Sequence, residues 1–301
     1  MKAVVLKEYG DVDKLELRDV PDPQPGPGEV KIKVAATSIN PIDWKLRSGA
    51  ARQLMPLQFP AVLGRDVSGE VVETGPGVSA FKRGDKVLGF VQHAYAEQVV
   101  AKADAIAKLP AGLDLRDAAA LPLVSLTGTE LIEEAVQPKP GDLVLVTGAV
   151  GSVGRSAVFA AKRLGAHVVA GVRASQKAEA ERLGAEQVVA IDDDAEIGAL
   201  PELDAIADTV GGATIAKLLS KLRKGGTLGS VLGEPAAAKG RDIRVRSIVA
   251  HPDARRLEEL ANAAARGELR IPIGARFPIS QVREAHRMAE HGAAGKILLT
   301  I

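Results

Sequence analysis

The sequence predicts an α/β protein: a doubly wound parallel sheet, preceded by a β-rich region of short strands. Three observations predict it. An apolar run, Leu143–Thr147, opens into the glycine turn Gly148-Ala149-Val150-Gly151-Ser152-Val153-Gly154 and then into a helical pattern. Apolar runs and helical patterns go on alternating from about residue 116 to about residue 265, as parallel strands with crossover helices require. Ahead of residue 115 the apolar runs are short, and clusters of Pro and Gly separate them.

In chain order, strands are expected at Lys2–Leu6, Glu29–Ala36, Asp66–Thr74, Lys86–Phe90 and Glu97–Ala101. They suggest a compact, barrel-like first domain over residues 1–115. The proline-rich stretch Pro21–Gly28 lies between two of these strands and reads as an ordered surface turn. In the second domain, residues 116–265, Leu143–Thr147 and His167–Val172 flank a helix on which Ala157, Ala160, Ala161 and Leu164 fall at i, i+3, i+4 and i+7. Gly165 stops that helix, which completes a βαβ unit. Further strands are expected at Val188–Ile191, Ala205–Val210, Thr227–Leu232 and Ile243–Val249. The tail, residues 266–301, holds an amphipathic helix, Gln281–His291, and a last strand that most simply rejoins the first domain's sheet.

The glycine turn points to a dinucleotide. Gly151 would let the backbone approach a pyrophosphate, and Gly154 would let the helix pack tightly on its strand. The free amides at the helix N-terminus would then face the phosphates. Ala149 stands where the usual G-x-G-x-x-G has its first glycine, with Gly148 one residue earlier. The alternative is a turn in a sheet that binds nothing. At the end of the second strand an NAD site places an acidic residue for the ribose 2′-OH. This chain has Arg173, Ser175 and Lys177, and no carboxylate until Glu179. A cation and a hydroxyl suit a 2′-phosphate, so the expected cofactor is NADPH. The plainer reading is a pair of solvated cations at the start of a surface helix.

Composition narrows the rest. Lys+Arg 39 against Asp+Glu 38 leaves no electrostatic footprint for nucleic acid. The absence of cysteine excludes disulfides, a thiolate metal site and a cysteine nucleophile. Charge arrives too early in Met1–Glu8 for a signal peptide, and no apolar run reaches the ~18 residues of a membrane span. A soluble, cytoplasmic protein is expected.

Taken together, Gly28-Glu29-Val30, Asn40-Pro41-Ile42-Asp43-Trp44-Lys45-Leu46-Arg47-Ser48-Gly49, Gly64-Arg65-Asp66-Val67-Ser68-Gly69, Gly84-Asp85-Lys86-Val87, Ala119-Ala120-Leu121-Pro122 with Thr127, the glycine turn and Gly295-Lys296-Ile297 resemble the medium-chain dehydrogenase/reductases. The likeness covers nearly the full length and is greatest to the zinc-independent quinone oxidoreductase and alkenal reductase branch. It implies a GroES-like substrate domain, a Rossmann domain, a cleft between them, and a homodimer through the sheet edge near Thr227–Val249. It also implies cofactor contacts at Asn40, Thr127, Val210, Gly211, Leu232, Gly233, Gly295 and Lys296, with a plain glycine-lysine turn before the last strand as the alternative for the last two.

Departures from the alcohol dehydrogenase branch decide the expected mechanism. The positions that hold zinc ligands there fall in Ser38-Ile39-Asn40 and Gly64-Arg65-Asp66 here, and a guanidinium does not coordinate Zn²⁺. No metal is expected. Without a Lewis acid, hydride transfer needs an acceptor already electron-poor: a quinone, or the β-carbon of an enal or enone. Lys45 stands where the family often has tyrosine. Either it donates to the developing enolate oxygen or it is, with Arg47, a solvated surface cation. Asn40 and Thr127 match positions near the nicotinamide ring, with an N-cap and a helix hydroxyl as their plainer readings. Trp44, Phe59 and Phe90 are candidate pocket linings. Two other functions stay open: a non-enzymatic NADPH-binding protein, as lens crystallins of this branch illustrate, and an alcohol dehydrogenase using an unusual metal.

Overall fold

A computed structural model of the chain describes all residues from Met1 to Ile301. Met1 to Leu123 holds β1 (Lys2–Leu6), β2 (Leu15–Asp19), β3 (Glu29–Ile39), β4 (Ala61–Val62), β5 (Asp66–Thr74), β6 (Lys86–Phe90), β7 (Gln98–Lys102) and β8 (Ile106–Lys108). Helix α1 (Pro41–Ser48) follows β3, and α2 (Pro122–Glu130) begins as this segment ends. Next come β9 (Leu143–Thr147), α3 (Ser152–Arg163), β10 (His167–Val172), α4 (Lys177–Ala180), β11 (Gln187–Ala190) and α5 (Asp194–Ala199). They are followed by β12 (Leu203–Asp208), α6 (Gly212–Leu218), β13 (Leu222–Ser230) and β14 (Arg244–Ser247). The chain closes with α7 (Ala254–Ala265), β15 (Ile273–Pro278), α8 (Val282–Glu290) and β16 (Lys296–Thr300).

These elements form two compact units, Met1–Leu123 with Pro252–Ile301, and Val124–His251. The boundaries differ from those read at about 115 and 265. Ala119 and Ala120 pack with Ala36 and Leu298, which draws residues 116–123 into the first unit. Helix α7 packs on β8 and joins the same unit.

In the first unit, a seven-stranded sheet runs β15-β16-β3-β5-β6-β8, with β7 also on β3. The terminal strand does rejoin it: β16 lies antiparallel to β3, with Ile297 opposite Ile39 and Thr300 opposite Ala36. Two register shifts on β3 against β5 bend this long strand. A smaller sheet, β2-β1-β4, stands beside it. Strands β2, β4, β8 and β15 went unanticipated, because Leu15–Asp19 is mostly polar, two are very short, and Ile273–Pro278 contains Gly and Pro.

The second unit is a parallel sheet in the order β11-β10-β9-β12-β13-β14. This is the order of a doubly wound dinucleotide fold. Both faces of β9 are buried. Val144 and Val146 pack with Ala157, Ala160 and Ala161 of α3, whereas Leu145 packs with Ile206, Ile215 and Leu218 on the other side. That two-sided burial is why the strand reads as an unbroken apolar run. After α2 the chain makes a π-helical segment, Leu131–Val136, that ends at Gln137 with φ 51°. No helix of the chain is long and apolar enough to cross a membrane.

Candidate active site

Strand β9 delivers the glycine turn to the N-terminus of α3. The left-handed residue is Gly148, at φ 62°, so Ala149 needs no glycine. A Cβ on Gly154 would lie 2.1 Å from the Gly148 carbonyl oxygen and 2.8 Å from Ala149 Cα. Only hydrogen fits where helix meets strand. Gly151, the N-cap of α3, is exposed, with Ser152 and Val153 half-buried behind it and Val150 half-buried before it. First-turn amides of a twelve-residue helix thus open beside a cradle that a side chain would fill. These residues fit a pyrophosphate.

The floor of this region is tied by a carboxylate that sequence reasoning passed over. Asp208, at the end of β12, is buried, and its Oδ1 accepts from Thr147 Oγ1 at 2.9 Å, Val210 N at 3.1 Å and Gly211 N at 2.9 Å. Ser230 Oγ donates to Asp208 Oδ2 at 3.3 Å, and Thr209 Oγ1 to the Thr147 carbonyl at 2.6 Å. The carboxyl ends of β9, β12 and β13 are thereby joined, and this is where open α/β sheets bind ligands. Val210 and Leu232 emerge from that crest 46% and 49% exposed, an apolar rim beside Gly211 and Gly233. The signal available in sequence was an Asp closing an apolar strand and followed by a Gly-Gly pair.

The 2′-phosphate candidates separate. Arg173 and Ser175 are exposed and their side chains have no partner. Lys177, in contrast, places Nζ 2.8 and 2.9 Å from the two Glu196 carboxylate oxygens. Its charge is already matched within the unit, which leaves Arg173 as the free cation at the end of β10. Thr127 sits half-buried on α2.

In the first unit, Asn40 caps α1. Its backbone N–H donates to Asp43 Oδ2 at 2.8 Å, and its carbonyl accepts from Asp43 N at 2.9 Å. The Asn40 side chain is fully buried, donating from Nδ2 to Asp66 Oδ2 at 2.8 Å. Ser38 Oγ donates to the same oxygen, and Leu123 N donates to Asp66 Oδ1 at 2.7 Å. Lys296 is buried, with Nζ 2.6 Å from Asn40 Oδ1, 3.2 Å from the Ile39 carbonyl and 3.5 Å from Asp66 Oδ2. Burial holds its ammonium below the ordinary lysine range, against the pull of Asp66 and Asp43. Arg65 is partly buried, which lowers its guanidinium in the same way. Gly295 is needed for packing: at φ 101° its Cβ would sit 2.6 Å from the Pro272 carbonyl.

Lys45 is exposed on α1 and unpaired, whereas its neighbour Arg47 is buried and no surface cation. Arg47 donates to the Gly10 carbonyl at 3.2 Å, to His286 Nδ1 at 3.3 Å and to Glu290. Of the aromatic residues, Phe90 is buried in the sheet, Trp44 packs into the unit's core, and Phe59 makes an edge contact with Tyr9. In the second unit, Glu130, Glu134 and His251 bring donor atoms within 4.8 Å of one another.

Fold and turn together define a two-unit protein with a doubly wound sheet of the dinucleotide-binding type. Comparison with known proteins agrees. Residues 26–111 match the alcohol dehydrogenase GroES-like domain family, and residues 183–299 the zinc-binding dehydrogenase family. The chain is 32% identical to the chloroplast envelope quinone oxidoreductase homolog of Arabidopsis thaliana, over 99% of this chain and 98% of that one. Among solved structures, the quinone oxidoreductase from Coxiella burnetii superposes with a TM-score of 0.92 at 31% identity, covering 100% of this chain and 99% of the other. Mycobacterial Rv1454c complexed with NADPH superposes with a TM-score of 0.86 at 29% identity, over 100% of both chains. The chain belongs to the medium-chain dehydrogenase/reductase superfamily, in its quinone oxidoreductase branch, with a GroES-like domain and a Rossmann-type parallel sheet. It is an oxidoreductase of the nicotinamide-dependent class.

Proposed function

We propose that the chain is an NADPH-dependent reductase that works without a metal and delivers hydride to a quinone or to the β-carbon of an α,β-unsaturated carbonyl. The observation that carries this reading is the donor set where β3, β5 and β16 meet. It comprises a serine, a carboxamide, a carboxylate and a buried ammonium, with Arg65 beside them. Zn²⁺ takes thiolate, imidazole or carboxylate, and this set offers one such ligand. Without a Lewis acid, the acceptor must be electron-poor by itself.

The nicotinamide cofactor supplies the hydride when bound; the chain's residues bind and orient. In this reading Gly148–Gly154 and the α3 amides hold the pyrophosphate. Val210, Gly211, Leu232 and Gly233 line the dinucleotide, and Arg173 with Ser175 takes the 2′-phosphate. Thr127 and Asn40 belong to the nicotinamide end. Lys45, free and exposed, donates to the oxygen on which charge develops. The NADPH complex of the mycobacterial neighbour supports the choice of cofactor. The same reading has the chain pair as a homodimer through the free edge of β14, where Val249 is 86% exposed.

The test is kcat/KM with NADPH and with NADH over a panel of quinones and enones. One charge-assisted contact in an exposed place sets a preference for NADPH of at least about tenfold. Arg173→Asp should erase it and leave the fold intact. Equal use of NADH by the wild type overturns the assignment of Arg173. Tight NADPH binding with no turnover of any acceptor favours the non-enzymatic reading.

A further inference from the structure

The ion pair between Lys296 and Asp66 joins side chains that are 5% and 0% exposed. Two apolar residues would fill such a place at less cost in desolvation, so a buried pair of this kind is poorly explained by stability. Its geometry suggests another reason. An ammonium only donates and a carboxylate only accepts. Lys296 Nζ therefore demands an oxygen from Asn40, at 2.6 Å, and Asp66 Oδ2 demands an N–H, at 2.8 Å. The two charges read the Asn40 carboxamide at both ends and permit one orientation. Its second Nδ2–H stays uncommitted. Lys296 also grips the Ile39 carbonyl at 3.2 Å, and Asp66 holds Ser38 and the Leu123 amide. The strand-to-helix turn that launches α1, and with it Lys45, is thus fixed from β3, β5 and β16 at once.

We propose that Lys296 and Asp66 are positioning residues for the reduction. The buried ammonium–carboxylate pair fixes the Asn40 amide and the start of α1 without touching substrate or cofactor. This rests on the reductase reading above.

The test has two arms, one of which needs no turnover. The chain has two asparagines, Asn40 and Asn262, so labelling asparagine with heavy nitrogen yields two side-chain amide signals, assigned with Asn40→Ala. In the wild type the Asn40 amide protons should exchange with solvent at least about a hundredfold more slowly than those of Asn262. Removing Lys296 alone strands a buried carboxylate, so the working variant is Asp66→Asn combined with Lys296→Met, which removes both charges together. That variant should lose the protection. It should also lower kcat about tenfold or more, with KM for NADPH unchanged, as loss of an orienting contact does. Fast exchange in the wild type, protection that survives in the double variant, or unchanged kcat each overturns the proposal. A wild type that reduces no acceptor fails the reductase reading instead, and the amide arm still decides whether the pair clamps Asn40.

Discussion

Two buried groups of one cluster, His286 and Asp43, titrate in opposite senses, and separating them tests the interior of the first unit. The Arg47 guanidinium donates to His286 Nδ1, so the ring is neutral with its proton on Nε2. Burial and the Arg47 charge push His286 down from 6.5 to about 3. Burial pushes Asp43 up from 3.8 to about 6. Tyr95, held well above its ordinary value, stays protonated beside them, and Asp66, Lys296, Arg65 and Glu290 are the other charged neighbours. Below pH 6.5 the unfolded histidine takes a proton that the folded one refuses, so stability falls as pH drops toward 3. Between pH 6 and 3.8 the folded aspartic acid holds a proton that the unfolded one has lost, so its contribution rises as pH drops. Each slope is about 1.4 kcal/mol per pH unit, and over that window they cancel in the wild type. Asp43→Asn unmasks the histidine: from about pH 6 to about pH 4 its stability should fall by about 3 kcal/mol relative to wild type. His286→Gln, which keeps an acceptor toward Arg47, should gain about as much over the same interval. Urea unfolding at a series of pH values measures both, and referring each variant to wild type cancels the other titrating groups. Variant curves parallel to wild type would refute the reasoning.

The remaining predictions concern the active site. Gly154→Ala forces α3 away from the Gly148 carbonyl, costing about 1–3 kcal/mol in a thermal melt and abolishing NADPH binding in a titration; normal binding would show that the cradle is not the pyrophosphate site. Lys45→Ala should lower kcat for quinones and enones about tenfold or more, short of the ~10²–10³ of a sequestered donor, with NADPH affinity unchanged. If turnover holds across both acceptor classes, Lys45 is a surface cation. Elemental analysis should find no stoichiometric zinc, and chelators should leave the rate unchanged. One zinc per chain with activity lost on its removal would overturn the metal-free mechanism, with Glu130, Glu134 and His251 as the alternative donors to examine.

Much of this protein is legible along the chain because local sterics and periodicity decide it. Leu143–Thr147, the switch to a helical period and the glycine turn specify a βαβ unit over thirty-odd residues, since a strand buried on both faces must be continuously apolar. Gly154 is equally readable, from a helix–strand contact that admits no Cβ, whereas the left-handed backbone of Gly148 came from the structure. What the chain could not reveal is which charges meet. Lys177 and Arg173 look alike in sequence, and only the packing of α4 and α5 on the same strand, β11, gives Lys177 a partner in Glu196. Lys296 lies 256 positions from Asn40, and its neighbours in sequence suggest a surface turn. Asp208 gathers three strand ends, and Arg47 leaves the surface only because α8 packs over α1. Burial of an ionisable group is a property of everything packed around it, and its cost is offset only by partners that tertiary structure supplies. Backbone conformation is largely local, whereas the pairing of buried charge is not.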